Sequence, residues 1–196
     1  MIFSAPMIKA LLAGTKTQTR RIVKPQPSPS SDTAFVGADG IWRFSHPTLR
    51  GPVSHEADDV RCRFGVVGDH LWVREGWGIA GDWPHDPGYV AYRAECKGNF
   101  DSVGNLIPRW RSPMMMPRRH SRVTLEISDV LVQRLQDITS ADAIAEGCAA
   151  VSLHDLDCES PDPRHEYRRI WESINGPGSW DANPWVWALT FKRITP

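Results

Sequence analysis

The stretch GTKTQTRRIVKP, residues 14–25, sets a lysine three positions before a threonine. A threonine hydroxyl is a weak nucleophile until a base takes its proton. A lysine amine becomes such a base when desolvation or a neighbouring cation lowers its pKa. Lys16 and Thr19 are candidates for that pairing. Their spacing brings both side chains to one side only in a turn or helical bend; in a regular strand they face opposite ways. Gly14 makes a bend accessible, and a solvated basic turn is the competing reading. Glu146 is the second candidate. It closes the segment ITSADAIAEG, where a carboxylate opposes the helix dipole at about 0.3–1 kcal/mol if exposed. A residue set against local preference is a candidate for function, against the simpler reading of an ordinary exposed glutamate.

Arginines beside aromatic residues form another set: Arg20, Arg21 and Lys24; Trp72, Arg74 and Trp77; Tyr92 and Arg93; and Arg109, Trp110 and Arg111 with Arg118, Arg119 and His120. A nucleobase or single-stranded nucleic acid is held by this combination, through phosphate neutralisation and stacking. Arginine stems lying over apolar surface are the alternative. The seven histidines show no HxH or HExxH spacing and the four cysteines no CxxC pair, so neither metal nor cofactor is expected. Basic and acidic residues number 23 each, which argues against a generic polyanion-coating protein while leaving local basic patches possible. No apolar run reaches the ~18 residues a membrane helix needs. The N-terminal stretch lacks the pattern of a secretory leader, so a cytoplasmic, reduced-thiol protein is expected.

These groups must be carried by a frame. The pattern predicts a short strand at Ile2 and Phe3, then a helix over 6–13 with Met7, Ile8, Leu11 and Leu12 on one face, stopped by Gly14. Residues 24–34 read as a Pro/Ser-rich loop and 35–65 as an insertion or irregular excursion. GDHLWVREGW (68–77) reads as turn and strand, and 88–94 as a short strand. Residues 98–120 read as loop. SRVTLEISDVLVQRL (121–135) alternates as a long half-buried strand. Thr139 and Asp142 form a predicted capping box ahead of Gly147. Asp162 and Pro163 open a helix with Tyr167, Ile170, Trp171 and Ile174 at helical spacing, and 184–194 closes the chain as a strand. The order is α+β and mostly β, expected as a small barrel capped by helices in one domain.

Gly14, Lys16, Thr19 and Arg21 also match the GxKxxTxR signature of the ASCH-domain family, and the chain resembles that branch of the PUA-like superfamily. The preceding helix, the GDHLWVRE strand entry, the long strand, the ITSADAIAEG helix and the closing WVWALTFKRI strand follow the family order. Only about 24–65 and 98–120 fall outside it, as insertions, and SINGPGSWDANPWVW is similar in texture to phage and prophage members. The resemblance implies a PUA-like mixed β-barrel with a cleft. It implies an amidohydrolase acting on an acylated nucleoside such as N4-acetylcytidine, with Thr19 as nucleophile, Lys16 as base and Glu146 orienting. Arg21, Trp72, Arg74, Trp77, Tyr92 and Arg93 would then bind substrate, and the partner would be a nucleoside or single-stranded RNA. The alternatives are a non-catalytic module binding RNA or a modified nucleotide, and a metal-independent ribonuclease.

Overall fold

In chain order the elements are α1 (Ala5–Leu12), β1 (Gln18–Ile22), β2 (Thr33–Val36), β3 (Trp42–Thr48), β4 (Gly51–Ser54), β5 (His70–Trp72), β6 (Trp77–Ala80), β7 (Tyr89–Tyr92), β8 (Thr124–Arg134), α2 (Ser140–Ala145), α3 (Pro163–Asn175) and β9 (Trp185–Ile194). They belong to a computed structural model that describes residues 1–48, 51–54, 59–81, 88–102, 104–148 and 162–194. The fold is mixed α+β, with few helices and antiparallel pairing between its strands. Strand orders are β1-β9-β8-β5, β2-β3-β4 and β6-β7. Two compact units are defined by contacts: Lys16–Asp69 with Ile127–Phe191, and Met1–Thr15 with His70–Glu126 and Lys192–Pro196.

In the unit that begins at Lys16, β1 pairs with β9, setting Thr19 opposite Leu189 and Arg21 opposite Trp187. β9 opens with five consecutive buried residues, Trp185 to Leu189. Such an unbroken run marks a strand covered on both faces. Leu135, Ile138, Ala143, Cys148, Tyr167, Trp171 and Val186 pack into one core cluster under α2 and α3. α3 starts where Asp162 accepts a hydrogen bond from the Arg164 amide, with Pro163 at its first turn, and ends at Gly176. Against the expectation of an irregular excursion over 35–65, β2, β3 and β4 form an antiparallel sheet there. Its alternation is too short to give a periodic signal. Trp42 and Phe44 turn inward, 6.0 Å from Trp187 and 5.1 Å from Trp185 between ring centroids, while Arg43 pairs with Asp39. The β2–β3 turn needs Gly40 at φ 71°, a conformation that suits glycine.

In the other unit, α1 buries Ile8 and Leu11, and the Gly14 amide donates to the Leu11 carbonyl at φ 76°. Ile2 makes a single parallel bridge to Arg74 in place of a strand. β6 and β7 form a hairpin of which 77–80 carries no separate sequence signal. Within 98–120 the chain makes isolated bridges and two 3₁₀ turns, Pro113–Met115 and Arg118–His120. Cys62, Cys96 and Cys148 are free thiols, and Cys158 lies outside the described residues.

Leu135 is fully buried, so Leu135→Ala is expected to cost ~2–5 kcal/mol in chemical denaturation. Thr139→Ala, which removes the cap of α2, is expected to cost about 0.5–2 kcal/mol. Ile144→Ala, at a residue 49% exposed, should stay within about 0.5 kcal/mol of wild type. A loss at Ile144 equal to that at Leu135 would contradict this burial pattern.

Candidate functional site

The segment leaving Gly14 is extended rather than bent. The Thr17 amide donates to the Ala145 carbonyl at 2.8 Å, and the Phe191 amide donates to the Thr17 carbonyl at 2.9 Å. These bonds strap the approach to β1 onto the end of α2. α2 begins with a reciprocal capping box between Thr139 and Asp142 and stops at Glu146, followed by Gly147 at φ 92°. The end of a short helix therefore meets the start of a strand, and Glu146 stands at that meeting point.

Lys16 Nζ donates to Glu146 Oε2 at 2.8 Å, to the Glu146 carbonyl at 2.7 Å and to the Gln18 carbonyl at 2.9 Å. An ammonium has three N–H donors, so these acceptors saturate it. The Lys16 side chain is 0% exposed and that of Glu146 5%. The other carboxylate oxygen, Glu146 Oε1, lies 3.4 Å from Arg20 Nη1. Arg20 Nη2 stands 3.1 Å from Asp142 Oδ2, and Nη1 also donates to Gln18 Oε1. Lys16, Arg20 and Glu146 thus form a buried charge cluster with the part-exposed Asp142 at its edge, and the Tyr167 ring lies 6.0 Å from the Arg20 guanidinium.

Strand geometry sorts the signature residues. Gln18 and Arg20 share one face of β1, and Thr19 and Arg21 share the other. Thr19 is buried, and its hydroxyl has no hydrogen-bond partner among the described residues, Lys16 included. Arg21 is half-buried, and its Nη1 donates to the Arg20 carbonyl at 3.1 Å. Sequence reasoning misses Arg20, Asp142 and Tyr167 as members of the cluster, giving them other places as a basic neighbour, a helix cap and a core aromatic. Parity is the signal that could find Arg20, because Lys16, Gln18 and Arg20 share even positions on a chain that runs extended.

The electrostatics follow from burial. Desolvation holds the Lys16 ammonium below its ordinary pKa, while Glu146 works in the opposite direction through charge and hydrogen bonding. Desolvation likewise raises the Tyr167 phenol well above its ordinary value, with Glu146 adding to the rise. For Asp142, burial acts against ionisation, but hydrogen bonds from Thr139 and Gln18 and the Arg20 charge leave its pKa lowered. Burial, reinforced by Glu146 and Glu166, pushes the Cys148 thiol from 9 up to about 11.

The remaining predicted binding residues belong to the other unit. The Arg74 guanidinium lies 4.2 Å over Trp72 and donates to the Met114 carbonyl. Trp77 is buried, with its ring 5.0 Å from that of His120. Tyr92 donates to the His120 carbonyl, and Arg122 covers its ring at 3.9 Å. Arg93 is exposed and lies 5.7 Å over Trp110. Among the described residues, no group of three His, Cys, Asp or Glu side chains could hold a metal ion. Comparison with protein-family models, curated proteins and solved structures found no match to this chain.

Removing Glu146 leaves Lys16 and Arg20 buried without their shared counter-charge. Glu146→Ala is therefore expected to cost about 3–5 kcal/mol, and the double variant Lys16→Met/Glu146→Leu to recover much of that loss. Equal losses in the single and double variants would show that the pair is not coupled. Cys148 gives a pH prediction. Its folded pKa is raised, so its contribution is fully present below pH 9 and is lost as pH rises toward about 11. Cys148→Ala should flatten the fall in unfolding free energy across that window, and an unchanged slope would contradict it.

Proposed function

We propose that the chain is an ASCH-type hydrolase of the PUA-like superfamily that cleaves an acyl group from a nucleoside or nucleobase, of the N4-acetylcytidine kind. Thr19 is the nucleophile in this reading, Lys16 the proton acceptor and Glu146 the residue that orients Lys16. The observation that carries it is the buried Lys16–Glu146 pair on the same chain segment as a buried Thr19 hydroxyl without a described partner. A buried hydroxyl with no hydrogen bond costs about 1–3 kcal/mol in desolvation. Its presence is accounted for if substrate or water completes it. Lys16 accepts the Thr19 proton only as its neutral amine, the form that burial favours, and because the two are not bonded to each other the proton passes through a water or substrate atom between them. Arg21, half-buried on the Thr19 face, supplies a cation for the oxyanion that forms when the carbonyl is attacked.

A second reading is favoured by the saturation of Lys16. An ammonium with three acceptors is a tether between β1 and α2 and has no free lone pair. In that case the module binds a nucleoside or single-stranded RNA without turning it over, and the cluster is structural.

Two variants separate the readings. Acylated nucleosides are offered to wild type, Thr19→Val and Lys16→Met, with released acid measured. The hydrolase reading expects wild-type turnover and a loss of at least about a hundredfold in both variants. It also expects Thr19→Val to unfold no more easily than wild type, since no described hydrogen bond is lost. Absence of wild-type turnover across the panel, or full activity in Thr19→Val, would reject it. Lowered stability in Lys16→Met, in a chain that binds nucleoside or single-stranded RNA but releases no acid, would establish the tether.

A further inference from the structure

A cavity of about 330 Å³ opens in the unit that contains α1, among Ser4, Gly76, Arg93, Trp110, Arg111 and Ser112. Among the described residues lining it, none is acidic. Its two cations are exposed and have no ion-pair partner among the described residues. Each is nonetheless held in place by an indole: Arg93 lies 5.7 Å over Trp110, and Arg111 lies 4.8 Å over Trp77. Stacking of this kind orders a guanidinium while leaving its N–H fork free.

Arg93 is also confined from below. It runs along Gly76, where even a methyl would stand 3.2 Å from its Cβ. Arg111 is fixed through its backbone, which exchanges hydrogen bonds with Trp77. Two hydroxyls complete the wall. Ser4 precedes α1 but makes no capping hydrogen bond, and Ser112 accepts from the Met114 amide; with no other partner among the described residues, both hydroxyls can donate. Two oriented guanidiniums and two hydroxyl donors, with no carboxylate among the described lining residues, describe a receptor for a tetrahedral oxyanion with several acceptor oxygens. A bare phosphate would leave most of the volume empty. The Trp110 indole gives the cavity an apolar wall, as in sites for small organic ligands.

We infer that this cavity binds the phosphate of a nucleotide, with Arg93 and Arg111 as its ligands. The site lies wholly within one unit and does not rest on the hydrolase reading. The phosphate can belong to a free nucleotide or to a strand, and relative affinity and salt dependence tell the two apart.

The test is calorimetric titration of the full chain with adenosine, AMP and a short oligoadenylate, for wild type, Arg93→Gln and Arg111→Gln. Thermal unfolding checks that the variants are folded, which exposed side chains favour. The expectation is binding of AMP or the oligonucleotide with adenosine much weaker, and a weakening of about ten- to hundredfold in each variant, as for one charge-assisted hydrogen bond. AMP binding no weaker than the oligonucleotide identifies a free nucleotide. Tighter oligonucleotide binding, with a salt slope that falls by about one for each arginine removed, identifies a strand. Failure of both phosphate ligands to bind wild type, equal binding of adenosine and AMP, or wild-type affinity in both variants would overturn the proposal.

Discussion

The ion pair between Lys16 and Glu146 is the contact on which the site depends. Burying an ammonium and a carboxylate costs several kcal/mol per ion, and only close, saturating partners offset it. Lys16 has such partners, because its ammonium meets the carboxylate and the backbone carbonyl of the same residue. That carbonyl closes α2. A cation at the C-terminus of a helix interacts favourably with its dipole, and a carboxylate there does not. Lys16 thus compensates for the placement of Glu146, whose unfavourable position along the helix becomes half of a pair.

Arg20 extends the pair into a network. It takes the carboxylate oxygen that Lys16 leaves, and it reaches back to Asp142, which also caps α2 through Thr139. The beginning and the end of the helix are therefore tied to one face of β1. The other face of that strand carries Thr19 and Arg21. A structural face bearing charge and a second face bearing a buried hydroxyl share five residues of backbone. This division bears on both functional readings, since one uses the tether to hold the hydroxyl and the other uses the tether alone.

Much of the frame was legible. Capping residues act over one turn, so Thr139 with Asp142 and Asp162 with Pro163 mark their helix starts in sequence and in the structure. β8 and β9 are long enough for alternation or a continuous apolar run to show. The sheet β2-β3-β4 was not legible, because β2 and β4 have only four residues each and its inward residues, Trp42 and Phe44, are two among many scattered aromatics. Arg20 escapes a reading by signature, which selects Arg21, and its even parity with Lys16 marks it only once the chain is known to run extended there.

Lys16, Thr19 and Glu146 were selected by residue type, spacing and resemblance, all properties of the linear chain. Where local rules dominate, as at caps, stops and glycine turns, the sequence by itself determined the outcome. Tertiary structure alone decided that the segment after Gly14 runs extended, that Lys16 crosses to Glu146 over 130 positions, and that Thr19 faces away from Arg20. The physical reason is that a strand's course is set by its partners. β9 and the end of α2 supply the hydrogen bonds that straighten Thr17 and Gln18, and neither is near them in sequence.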